Sequence, residues 1–269
     1  MNKRIISSVI IFIIVLCVYG YEHFLNEEEQ NKVITQGATT KNNTNTYFLP
    51  TSTTGQIVHH EHYSLSYNEK HEQAEWVAYE LKKTHLSNIE RKRPYFEIDK
   101  AVKTGAASWK NYKKSGFDRG HLCPAGDRRY TKEAYNETFL TSNISPQEHQ
   151  FNAGIWNSLE QKVRYWARKY DGIFVITGGI LKGHMKTIGT ERVSVPNQFY
   201  KILIDNNSNK TKMIAFLMPH KNSKKPLHEF VVSVDDIESL TGIDFFPQLD
   251  DALENKLEAS NYYKDWSFN

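Results

Sequence analysis

From Gln56 onward the sequence offers no stretch rich in Pro, Gly or Ser at which the chain could be divided, and no internal repeat. Residues 57–269 must therefore share one core, and a chain of that length buries a large interior. Strand and helix signals alternate along it. Loose alternation over Ile57 to Tyr67 predicts a half-buried strand, whereas Glu72 to Leu86 fits either period, because Trp76, Val77, Tyr79 and Leu81 serve both. Ile173-Phe174-Val175-Ile176-Thr177, bounded by glycines, predicts a short buried strand. The following Gly178-Gly179-Ile180-Leu181-Lys182-Gly183 lacks the Gly-Lys-Ser/Thr ending of a phosphate loop and reads as the turn after that strand. Phe199 to Ile204 and Met213 to Met218 form a predicted hairpin across the polar Asp205–Asn209. A helix is expected from Ala153 to about Tyr170, with Ile155, Trp156, Leu159, Val163 and Trp166 on one face. Two more are expected, from Asp235 to Gly242 and from Asp251 to about Ser260. Hairpin-paired strands with helices between them indicate an α+β fold rather than a doubly wound parallel sheet.

The N-terminus differs from the rest. Lys3 and Arg4 precede an almost unbroken apolar run from Ile5 to Tyr21, about 25 Å long as a helix. This pattern reads as a signal peptide or signal anchor over residues 1–26. No small-residue cleavage site follows it, which favours a retained single N-terminal membrane anchor. The basic end lies on the cytoplasmic side and the bulk of the chain is exported, secreted if the signal is cleaved. Residues 27–56, rich in Thr and Asn, read as a flexible linker. With only Cys17 and Cys123, neither a disulfide scaffold nor a cysteine-rich zinc module is available. A net charge of +3 permits a polyanionic partner without arguing for one.

Chemically useful side chains are densest between Gly116 and Arg164. Gly116-Phe117-Asp118-Arg119-Gly120-His121-Leu122-Cys123-Pro124 reads as a constrained turn, with Asp118 bracing it and Cys123 packed beside it. A histidine held there is expected to be exposed enough to act as a base near neutral pH. Glu160 and Arg164 lie four residues apart on one face of the predicted helix, where a plain surface ion pair is the alternative to a functional role. Asn152 stands where an asparagine would cap that helix, in which case its oxygen is not free for a metal. His59, His60, Glu61 and His62 resemble a metal cluster but read as a solvated strand, since strand neighbours point to opposite faces. Lys110, Lys113 and Lys114 fit an electrostatic guide for a polyanion or a solvated basic face equally well.

Asp118-Arg119-Gly120-His121, then Ser142-Asn143-Ile144-Ser145-Pro146-Gln147, then Asn152 and Glu160, together resemble the DNA/RNA non-specific endonucleases of the ββα-metal type. The resemblance runs from about Ile57 to Phe246. It implies a central, mainly antiparallel sheet with flanking helices, here preceded by the N-terminal hydrophobic helix. It also implies roles. His121 would be the general base that activates water, and Asn152 the direct ligand of one Mg²⁺, with Mn²⁺ able to substitute at such an oxygen site. Glu160 would support a metal-bound water, Arg119 and Arg164 would clamp phosphate, and Asn143 would fix the site from its loop. A further substrate arginine is expected at Arg93 rather than Arg91, because Pro94-Tyr95-Phe96 follows it directly. DNA and RNA would be the substrates, cut with little sequence preference to leave 5′-phosphate ends. The rival expectation is a catalytically silent nucleic-acid-binding protein on the same scaffold. Retention of the His, the Asn and the Glu argues against it.

Overall fold

The computed structural model describes residues 48–206 and 210–268, all within one compact unit. The expected signal or anchor lies outside the described residues, and among those no helix is long and apolar enough to cross a membrane. A seven-stranded sheet is built from β1 (Ile57–His59), β2 (Ser64–Asn68), β3 (Gln73–Lys82), β6 (Gly172–Gly179), β9 (Gln198–Asp205), β10 (Lys212–Pro219) and β11 (Val231–Val232), in that spatial order. Every pairing in it is antiparallel. A separate ribbon pairs β4 (Asp118–His121) with β5 (Ile144–Gln147), and another pairs β7 (Lys186–Ile188) with β8 (Val193–Val195). The helices are α1 (Lys132–Glu137), α2 (Asn157–Lys169), α3 (Val234–Thr241) and α4 (Asp251–Glu258).

Strand periodicity places the helices. Val77, Tyr79, Leu81, Ile173, Val175, Phe199, Leu203, Ile214 and Phe216 point to one face and pack with Leu159, Val163, Trp166 and Ala167 of α2. Their neighbours Trp76, Ala78, Phe174, Ile176, Tyr200, Ile202, Ile204 and Ala215 point to the other face, which Val234 and Ile237 of α3 cover together with Ile243, Phe245 and Phe246. With both faces buried, the strands read as nearly continuous apolar runs. Each fully buried large side chain contributes about 1.5–3 kcal/mol, so the two-sided sheet fixes the platform on which the rest is built.

Several expectations are corrected. Residues 48–56 belong to the domain rather than the linker: Phe48 packs on Phe174 and Phe246, and Trp76 Nε1 donates to the Thr51 carbonyl. The stretch Ile57–Tyr67 is two strands, and His60 sits in the turn between them. There it is no solvated residue, because its Nε2 lies 2.8 Å from the buried Asp99 carboxylate. Gly178 and Gly179 end strand β6 instead of forming a turn, where any Cβ would collide with the Glu75 carbonyl and Pro196. The ambiguous stretch is strand β3 over Gln73–Lys82. The expected hairpin of β9 and β10 forms, with Phe199 opposite Met218 and Ile204 opposite Met213.

Candidate active site

The Asp118–His121 segment is a strand, not a turn. Paired with β5, it alternates: Asp118 and Gly120 take one face, Arg119 and His121 the other. Gly120 is required by packing, since a Cβ there would collide with Gln147 Cδ and Oε1. On the Arg119 side the ring of Phe96 is a shared platform. The Arg119 guanidinium carbon lies 4.8 Å from its centroid, that of Arg93 5.5 Å, and the His121 ring centre 5.5 Å. Phe139 closes on the same histidine edge-on at 4.9 Å.

His121 is therefore less exposed than the turn reading implied. Its Nε2 is buried without a hydrogen-bond partner among the described residues, which leaves Nδ1 as the ring nitrogen to meet a water. Burial, helped by the nearby Arg93 charge, holds its pKa down at about 3, which keeps the ring neutral at neutral pH. A ring kept neutral is free to accept a proton, although a pKa that low makes it a weak acceptor until an anion such as a phosphate enters beside it.

On the Asp118 side the chain leaves β5, makes one α-turn (His149–Phe151) and passes into a π-turn (Asn152–Trp156) that leads to α2. Asn152 is not an N-cap. Its backbone is helical and its N–H donates to the Glu148 carbonyl at 2.8 Å. The helix kinks at Gly154, where the Asn222 side chain inserts and its Oδ1 accepts the Ile155 N–H at 3.2 Å.

Asp118 holds Asn152. Its Oδ2 accepts from Asn152 Nδ2 at 3.0 Å and lies 2.9 Å from Nδ1 of the exposed His149. The Asn152 amide oxygen has no hydrogen-bond partner among the described residues. Asp118, Arg119, Asn152, His149, Arg93 and Trp109 line one cleft of about 550 Å³, together with Tyr112, Lys113 and Phe117. An unclaimed amide oxygen beside a carboxylate is an all-oxygen donor set, which fits a hard, hydrated cation such as Mg²⁺.

The other expected residues lie elsewhere. Asn143 is fully buried and committed to the backbone: its Oδ1 accepts from Cys123 N, and its Nδ2 donates to the Cys123 and Thr138 carbonyls. It braces the chain that follows His121, as a positioning residue. Arg91 is committed to the backbone, donating to the Arg129 carbonyl at 2.6 Å and to the Tyr130 carbonyl at 3.1 Å, whereas Arg93 lines the cleft. Arg164 donates to Asp127 Oδ1 at 2.8 Å, and the other oxygen of that buried carboxylate accepts from Tyr79 OH. Glu160 shares this charged pocket with Lys201. Burial and Asp127 raise its pKa to about 7 against the pull of Lys201 and Arg164. Lys201 is wholly buried, with no hydrogen-bond partner for Nζ and the Trp156 ring 4.8 Å away. Asp127 and Lys201 escaped the sequence reading, yet a lysine inside Phe199-Tyr200-Lys201-Ile202-Leu203 carries a signal, because a charge amid a two-sided apolar strand needs a partner.

A family model described as DNA/RNA non-specific endonuclease matches residues 40–252. The chain belongs to that family. It is 36% identical over 202 residues to the mitochondrial nuclease EXOG of Danio rerio, covering 69% of this chain and 59% of that protein. It is 32% identical over 209 residues to human mitochondrial endonuclease G, covering 72% and 70%. It is 33% identical over 218 residues to nuclease C1 of Cunninghamella echinulata var. echinulata, covering 74% and 85%. A crystal structure of the EndoG/EndoGI complex matches with a TM-score of 0.69 and 30% identity, over 72% of this chain and 87% of that one. The chain thus spans under two thirds of the EXOG relatives' own length. The α+β architecture is the ββα-metal fold, with β4, β5 and the helical segment from His149 to Lys169 as its ββα unit.

Proposed function

We propose that the chain is a metal-dependent endonuclease that hydrolyses phosphodiester bonds of DNA and RNA with little regard to base sequence. One observation carries this reading: two arginines without ion pairs among the described residues line one cleft with an unclaimed amide oxygen, and the Phe96 ring beneath both arginines also packs on a neutral histidine, His121. A phosphodiester is anionic and repels hydroxide, so its hydrolysis needs positive charge and an activated water.

Asn152, oriented by Asp118, is the residue to hold Mg²⁺ or Mn²⁺. When bound, the ion supplies charge stabilisation at the phosphate and at the departing 3′ oxygen. Arg93 and Arg119 neutralise and orient the phosphate through their planar forks. His121 takes the proton of the attacking water at Nδ1. The water oxygen bonds to phosphorus as the bond to the 3′ oxygen breaks; the 3′ oxygen takes a proton from solvent water and His121 returns its proton to solvent, leaving a 5′-phosphate and a 3′-hydroxyl. Glu160 and Arg164 support the site from the helix, with Asp127 and Lys201 fixing their charges. Contacts confined to phosphate explain indifference to sequence. Lys110, Lys113 and Lys114 border an adjoining groove and extend the positive surface for the strand. Lys3, Arg4 and the apolar run after them support a domain exported and tethered at the cell envelope.

The test is cleavage of a covalently closed plasmid by the full chain, with Mg²⁺ and with EDTA, alongside His121→Ala. Nicking and linearisation that require both the metal and His121 are expected. A folded chain that binds plasmid without cutting it would overturn the proposal and leave a nucleic-acid-binding protein.

A further inference from the structure

At the far side of the sheet, α3 and α4 bring three carboxylates together. Asp235, Glu238 and Glu258 each present an oxygen within 4.8 Å of the others. Asp235 and Glu238 are three residues apart and share a face of α3, while Glu258 is the last residue of α4. An exposed acidic cluster would be unremarkable. Glu258, however, is only 6% exposed, and its Oε1 is buried with no hydrogen-bond partner among the described residues. A carboxylate shut away from water without a partner is costly, and it also stands at the negative end of its own helix dipole. Asp244 and Glu254 add further negative charge around it.

We propose that Asp235, Glu238 and Glu258 form a structural Ca²⁺ site that clamps α4 to α3. Three carboxylate ligands suit a hard cation. Oxygens within 4.8 Å of one another fit around one Ca²⁺ at about 2.3–2.6 Å each, and water completes its flexible shell of six to eight. Mg²⁺ requires shorter, stricter octahedral geometry and gives up its water reluctantly, so it is the weaker occupant. Glu258 lies beyond the residues matched by the family model, whereas Asp235 and Glu238 lie within them, and none of the three lines the nuclease cleft.

The test uses the full-length chain in mild detergent, with Asn152→Ala introduced so that binding in the nuclease cleft does not contribute. Thermal unfolding is followed in EDTA, with Ca²⁺ and with Mg²⁺, and repeated with Glu258→Gln or Glu238→Gln added. The expected result is a rise in Tm of about 5 °C or more once free Ca²⁺ exceeds its dissociation constant a hundredfold. The rise should be smaller with Mg²⁺ and absent in both Gln variants, whose far-ultraviolet circular dichroism shows whether they are folded. No Ca²⁺-dependent rise in the Asn152→Ala chain would overturn the proposal. So would a rise that survives intact in the folded Glu258→Gln variant, because the ion would then be bound elsewhere.

Discussion

The His121 imidazole is held at about 3, against about 6.5 in an unfolded chain. Below pH 6.5 the unfolded state therefore takes up a proton that the native state refuses. The sign follows: this stability is fully present above pH 6.5 and is lost as the pH falls toward 3. Integrating the two titrations from pH 7.5 to 4.5 gives a loss of about 2.5 kcal/mol from this residue alone. In His121→Gln the loss disappears, while other titrating groups, His85 among them, act alike in both proteins. Urea unfolding of the two chains at several pH values in that range, in EDTA, measures the difference. The wild type should lose about 2.5 kcal/mol more than the variant. Parallel curves would show that the ring takes up its proton in the folded protein at an ordinary pH, and the case for a base kept neutral by Phe96, Phe139 and Arg93 would fail. Cleavage should likewise persist well below pH 6.5 in the wild type.

Three further outcomes are expected. Asp118→Asn removes the carboxylate that accepts from Asn152 Nδ2, so cleavage should fall about 10- to 100-fold and the Mg²⁺ titration should shift to higher concentration, with the fold intact by circular dichroism. Arg91→Met loses two charged hydrogen bonds to backbone carbonyls and should cost about 2 kcal/mol in urea unfolding while cleavage per folded molecule is retained; Arg93→Met should do the reverse. Gly120→Ala forces a methyl group into Gln147 and should destabilise by about 1–3 kcal/mol, measured by urea midpoint.

The central strands were legible because they are continuous apolar runs bounded by glycines or polar turns, whereas the sheet's first strands were not: Ile57–Tyr67 divides into two and Gln73–Lys82 fitted either period. Phe199–Ile204 and Met213–Met218 were placed correctly, since two buried faces leave continuous apolar runs on both sides of a polar turn. Strand β4 was not legible. Its four residues are too few for a pattern, and the flanking Gly and Pro signal a turn. The functional motif was read from residue identity, but its environment was not. His121 is enclosed by Phe96 and Phe139, which lie 25 and 18 positions away, and no local window reports that. The same holds for His60, whose partner Asp99 arrives from another segment, and for Asn152, whose capping look came from a helix that in fact starts at His149. Lys201 shows the limit from the other side: its oddness was visible in the strand, whereas its place beside Glu160 needed the fold.

Phe96 gives the resting cleft an unusual electrical character. Arg93 and Arg119 lie over an aromatic ring instead of against carboxylates, so no internal anion has to be displaced before a substrate enters. A site stored in this way is always open for business with tetrahedral oxyanions. Inorganic phosphate, sulfate and polyphosphate are therefore expected to compete with a nucleic-acid phosphate for it, so plasmid cleavage should be slower in phosphate buffer than in a buffer without oxyanions at equal ionic strength.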